Sequence, residues 1–116
     1  DLLRVIDIDS ELTGTFTVDT PTLDDDSHFE DIVIYGVPNT SIVIRLISDE
    51  FDSYLELGRF ENGDFASIEI NDDCIENDKN SCITYTFEDD GVYVIRANTL
   101  GGGETGDFQL TVTRRD

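Results

Sequence analysis

From Leu12 onward the chain reads as short bursts of alternating apolar and polar residues, separated by glycine, asparagine and aspartate. In LTGTFTV (Leu12 to Val18) the threonines fall on one face of an extended segment. FEDIVIYG (Phe29 to Gly36) becomes apolar on both faces towards its end, as a central strand does. VPNT follows as a turn, with Pro38 fixing φ, and SIVIRLIS (Ser41 to Ser48) comes next. In SYLELGRF (Ser53 to Phe60), Leu55 and Leu57 share one face and Tyr54 and Glu56 the other. ENGD sets Asn62-Gly63 at a hairpin tip, and SIEI (Ser67 to Ile70) returns with Ile68 and Ile70 expected inward. CITYTF directs Ile83, Tyr85 and Phe87 inward, EDDG turns into VYVIRANT, and LGGGETG turns into FQLTVTR, with Phe108, Leu110 and Val112 on one face. No stretch sustains the three-four spacing of a buried helix face. The period of two and the turn spacing predict an all-β chain of about eight strands, an antiparallel β-sandwich of two facing sheets.

Length and composition sharpen this picture. The 116 residues suffice for one domain, placed at 11–116, with 1–10 as a linker remnant or an added edge strand. Apolar content is 38%, low for a globular chain, but it is concentrated in β-branched and aromatic runs that disordered chains lack. Net charge is −20, from 27 acidic against 7 basic residues. Such a surface argues against nucleic acid and against an anionic membrane as partners, because both need positive charge. It also repels itself, so salt or bound divalent cations would favour the compact state. No apolar run approaches the roughly 20 residues of a membrane span. The chain starts at Asp1 and reads as a mature or excised fragment, so the missing signal peptide says nothing about export.

Several segments, in order, carry a resemblance: SHFEDIVIYG, then FDSYLEL (Phe51 to Leu57), NDD (Asn71 to Asp73), SCITYTF (Ser81 to Phe87), GVYVIRA (Gly91 to Ala97) and GDFQLTV (Gly106 to Val112). With these the chain resembles the bacterial pre-peptidase C-terminal domain over most of its length. The resemblance implies a jelly-roll-like β-sandwich, non-catalytic, appended to secreted metalloproteases, serine proteases or collagenases. It implies roles in secretion, in removal during maturation, or in binding insoluble substrate. Collagen-binding members of that family hold calcium with carboxylates from an upstream segment and from an aspartate-rich stretch before the central strand. Here DDDSHFED (Asp24 to Asp31) matches the second stretch, making Asp26 and Asp31 candidate calcium ligands, with Asp7 or Asp9 as upstream partners. The Glu-Pro-Asn-Asp pattern does not precede the first strand, which counts against calcium, and clusters of exposed tyrosines are absent, so collagen binding does not carry over.

The remaining chemistry lies in NDDCIENDKNSC (Asn71 to Cys82). Cys74 and Cys82 are read as a structural disulfide. Zinc would need four ligands and there is one histidine, while a reactive thiolate needs local positive charge and only Lys79 offers it. Beside them, Asp72, Asp73, Glu76 and Asp78 could supply oxygens to calcium or form a solvated acidic loop. Their spacing is not that of an EF-hand. Asp72 and Asp73 join Asp26 and Asp31 as tentative ligands.

Enzymatic motifs fail on context. His28 has no Gly-x-Ser-x-Gly elbow to serve. GGGETG (Gly101 to Gly106) spells G-x-G-x-x-G, but a strand pattern follows where a phosphate-binding fingerprint needs a helix. Asn39-Thr40-Ser41 has the form of a glycosylation sequon, which has meaning only in a eukaryotic secretory pathway. A glycosidase pair wants aromatic sugar platforms, and there is no tryptophan. The expectation is therefore a monomeric, non-catalytic accessory domain of a secreted, extracellular bacterial hydrolase, with no certain cofactor other than calcium as a candidate. Its expected partners are the parent catalytic domain or an extracellular polymer substrate. The alternative is a carbohydrate- or matrix-binding adhesion module, for which Tyr54 and Tyr93 are the aromatic candidates and alternation buries Tyr93.

Overall fold

Valine, isoleucine, threonine and aromatic side chains suit a pleated, half-buried surface, and the segments rich in them are extended. In the computed structural model, which describes residues 3–71 and 79–115, nine strands form. They are β1 (Arg4–Val5), β2 (Ser10–Phe16), β3 (Phe29–Gly36), β4 (Ser41–Ile47), β5 (Ser53–Glu61), β6 (Asp64–Asn71), β7 (Ser81–Thr86), β8 (Gly91–Thr99) and β9 (Gly106–Arg114). There is no helix among the described residues. The turns follow the local chemistry. Between β5 and β6, Asn62 and Gly63 both take positive φ, 54° and 86°, as a two-residue primed hairpin turn requires. Between β3 and β4, Thr40 N–H donates to the Val37 carbonyl at 3.1 Å, and Asn39 sits at φ 66° behind Pro38.

The five-stranded sheet runs β1-β3-β8-β5-β6 and the four-stranded sheet β2-β9-β4-β7. From β2 on, the chain changes sheets at every connection except the β5–β6 hairpin. That winding of eight antiparallel strands is a jelly roll, as the family resemblance implied. β1 adds a ninth, short strand, parallel to β3, with Arg4 opposite Ile32 and Val5 opposite Val33.

The core lies between the sheets and comes from the inward half of β2 to β5 and of β7 to β9. Ile32 and Ile34 of β3, Ile42, Ile44 and Leu46 of β4, Leu55 and Leu57 of β5, and Leu110 and Val112 of β9 are shielded from solvent. Each contributes about 1.5–3 kcal/mol by leaving water. Two aromatic clusters complete it: Phe16 with Phe51 and Phe108, and Phe87 with Tyr85 and Tyr93. Gly36 makes room for the second, since a Cβ there would lie 2.5 Å from the Tyr93 ring.

One expectation of the alternation is corrected. Ile68 and Ile70 do not point into the core; they are 41% and 55% exposed. Leu57 pairs with Glu69 but Gly58 pairs with Ser67, so Ile68 is the extra residue of a β-bulge. Beyond the bulge the alternation of β6 is shifted by one. Ile70 therefore stands opposite Glu56, on the side of the sheet away from the core.

Candidate functional site

The aspartate-rich segment before β3 is a turn organised by its own hydrogen bonds. Leu23 and Ser27 join through Leu23 N–H to the Ser27 carbonyl, and Asp26 N–H donates to the Leu23 carbonyl. Asp26 takes positive φ, 67°, and its carbonyl accepts from Gly103 N–H, which ties this turn to the β8–β9 loop. Asp25 accepts from both the hydroxyl and the backbone N–H of Ser27. These bonds favour the charged form and hold the Asp25 carboxyl below its ordinary value. Asn98, buried on β8, donates to Ser27 Oγ and to the His28 carbonyl, closing the network onto the sheet.

Of the candidate calcium ligands, Asp31 lies on β3 and is 8% exposed. Both its carboxylate oxygens accept from Arg96, at 2.8 and 3.0 Å. The guanidinium also lies over Phe65 and Phe29, at 4.0 and 4.9 Å from the ring centroids. This is the bidentate, stacked geometry that arginine provides and lysine cannot. Asp26 is exposed. Asp9 sits in the β1–β2 connection, where Oδ1 accepts from Arg114 N–H at 2.8 Å. Asp7 is closed into the same turn by Ser10. Among the described residues, no three His, Cys, Asp or Glu side chains gather as a metal site. Asp72, Asp73 and Cys74 lie outside the described residues. Cys82 lies on β7, opposite Arg45 of β4, and its N–H points at Asn71 Oδ1 at 3.4 Å.

His28 is buried, with Nδ1 2.8 Å from the Thr20 carbonyl and its ring stacked near Phe16. Its neighbour Ser27 gives its hydroxyl to Asp25, so the serine, histidine and carboxylate here do not form a relay. The GGGETG segment is the loop into β9, as the strand pattern after it indicated. Tyr93 is buried with Arg59 stacked on its ring at 4.1 Å. Tyr54 is half-buried beside Leu23, Asp25, Glu56, Asn98 and Leu100 around a shallow depression of about 250 Å³.

The two outer faces of the sandwich differ in kind. The outer face of the four-stranded sheet carries Thr13 and Thr15 of β2, Gln109, Thr111 and Thr113 of β9, and Thr84 and Thr86 of β7, with Val43 and Ile47 of β4 half-buried among them. The five-stranded sheet shows Tyr35 opposite Val92, 56% and 48% exposed, then Phe60, 46% exposed, opposite Phe65. Behind this row lie Val5, Val33 and Val94 in register across β1, β3 and β8. Behind that lie Asp31, Arg96, Glu56 and Ile70 across β3, β8, β5 and β6. Reading for polar chemistry missed this face. Its signal was present in FEDIVIYG, apolar on both sides.

Two facing sheets wound in this order define a module of the jelly-roll class. The comparison with solved structures gives that class a closer likeness. The chain is similar to the pre-peptidase C-terminal domain of a collagenase from Bacillus anthracis, with a TM-score of 0.64 and 13% identity. The match covers 97% of this chain and 95% of that one. The likeness read from sequence segments is thus present in the fold. No family model matches the sequence, and no curated protein matches it.

Proposed function

We propose that the chain is a non-catalytic accessory domain of a secreted bacterial peptidase, which aids its export, its solubility or its docking. The observation that carries this reading is the shared fold over nearly the whole length of both chains. The acidic surface supports it, since a net charge of −20 opposes aggregation of the enzyme that carries the module. Calcium belongs to the reading as a stabilising ion of the acidic loops, and a Cys74–Cys82 disulfide as their staple.

The test is removal. Deleting 11–116 from the polypeptide that carries it should leave turnover of a short soluble peptide unchanged, while the yield of soluble secreted enzyme falls. Loss of peptide turnover in a folded truncated enzyme would place the domain in the catalytic machinery and reject the reading. Calorimetry in calcium against magnesium tests the ion: a melting temperature that does not distinguish them removes calcium from the proposal. For the adhesion alternative, retention on polysaccharide or collagen resins is the deciding measurement.

A further inference from the structure

We propose that the outer face of the five-stranded sheet is a docking surface for the peptidase domain, and that it meets an apolar patch bordered by lysine and arginine. This inference rests on the accessory-domain reading above and deepens it. The first observation is composition against place. The sequence is 29% charged and rich in threonine, so polar residues for an outer face are not scarce. The four-stranded sheet uses them, and keeps its outward Val43 and Ile47 half-buried. The five-stranded sheet instead displays Tyr35, Val92, Phe60 and Ile70 to solvent, with Val5 at its edge. No large exposed apolar residue lies on the other outer face among the described residues. Tyr35, Val92 and Phe60, with the row Val5, Val33 and Val94 behind them, form an exposed apolar patch, and such a patch marks an interaction site.

The second observation is rigidity. Arg96 is fixed between Phe29 and Phe65 and paired to Asp31, while Phe65 meets Phe60 edge-on at 6.2 Å. Aromatic and arginine side chains held in place lose little freedom on binding, which is how interface anchors gain affinity.

The third observation chooses the occupant. The Tyr35–Val92–Phe60 row runs to the end of the sheet where the β5–β6 hairpin carries exposed Glu61 and Asp64 and the β7–β8 connection carries exposed Asp89 and Asp90. The cation there, Arg59, is drawn to Asp89 at 3.7 Å and gives Nε and Nη2 to the Val92 and Asp90 carbonyls. The rim is therefore negative. A second copy would set the same carboxylates against themselves, and an anionic lipid surface would be repelled. A protein surface with an apolar centre and basic border complements both the row and its rim.

Hydroxyl-radical footprinting of the full-length polypeptide against the isolated 116-residue chain tests this. Oxidation of Tyr35 and Phe60 should fall severalfold in the full-length protein, while Val18, exposed and off the face, labels equally in both. In trans, the doubly substituted Tyr35→Ser/Phe60→Ser chain should bind the separated peptidase domain about tenfold or more weakly than the native chain. A Thr13→Ser/Thr113→Ser control should bind like the native chain, and circular dichroism checks that all three are folded. Native binding should weaken as sodium chloride is raised. Equal labelling of Tyr35 and Phe60 in both contexts, unchanged affinity of the substituted chain, or binding indifferent to salt would each overturn the proposal. Protection that grows with concentration in the isolated chain would assign the face to a second copy and also overturn it. A carrier polypeptide lacking a peptidase domain rejects the accessory reading and this inference together. A carrier that has one but leaves the face labelled rejects the inference alone.

Discussion

Two residue-scale networks make predictions of opposite kind. Asp25 is exposed and locally bonded, so its effect is on titration. Its carboxyl is held low first by the Ser27 hydroxyl and then by the Ser27 backbone N–H. A carboxylate depressed in the folded state contributes stability that is complete above the ordinary aspartate value, near about pH 4, and lost as pH falls through the depressed one. A carbon-detected NMR titration should therefore find Asp25 ionising below the ordinary aspartate range, and Ser27→Ala should move it back up. An unchanged Asp25 titration in that variant would show that the hydroxyl is not the cause. Arg96 is the opposite case, enclosed and paired. Replacing it with alanine leaves Asp31 nearly buried without its partner, a loss of about 3 kcal/mol. Arg96→Lys keeps the charge but not the fork or the stacking between two rings, so it should still destabilise by about 1–2 kcal/mol. Urea unfolding of the two variants checks the order: a lysine variant as stable as the native chain would mean that charge alone holds Asp31.

At the scale of elements, the bulge in β6 decides what the alternation could and could not reveal. Strands paired in even register followed the sequence closely: Leu55 with Leu57, and Phe108 with Leu110 and Val112, face the core as their spacing predicted. Alternation counts residues, and it has no way to see one that is left unpaired. Ile68 is that residue, and it displaced every later position of β6. Across the strand pair from the bulge lies Gly58, where a Cβ would sit 2.2 Å from the Ala66 carbonyl oxygen and 2.9 Å from the Phe65 ring. Gly58→Ala should therefore destabilise by about 1–3 kcal/mol through backbone overcrowding. A melting curve matching the native chain would show that β5 and β6 can part there freely. The hairpin tip was legible because Asn-Gly states its own geometry, and the jelly-roll winding was legible only through the ordered likeness of whole segments. The candidate site was less so. Nothing in the spelling of Asp31 announces Arg96, a partner 65 positions away brought opposite by the β3–β8 register. The same long-range pairing turned Tyr35 and Val92 into neighbours.

For the molecule as a whole, charge is the term that the packing does not settle. The core and its two aromatic clusters give the sandwich a well-filled interior, yet 27 acids against 7 bases surround it. Four of the seven basic residues are committed to ion pairs: Arg4 to Glu30, Arg59 to Asp89, Arg96 to Asp31 and Arg114 to Asp9. Carboxylates therefore outnumber the cations that could offset them, and their mutual repulsion is relieved when the chain expands. The screening length falls from about 30 Å at 0.01 M salt to about 8 Å at 0.15 M, so that repulsion should shrink over this range. The melting temperature should accordingly rise with sodium chloride and level off once the screening length is shorter than the spacing of surface charges. Neutralising variants give the independent check. Glu61→Gln with Asp64→Asn on the β5–β6 hairpin should raise the melting temperature in low salt and change it little in high salt. A midpoint flat in salt, with those variants neutral throughout, would mean that the acids are spaced widely enough not to feel one another. The acidic surface would then bear on partners alone, and stability would rest with the two packed sheets.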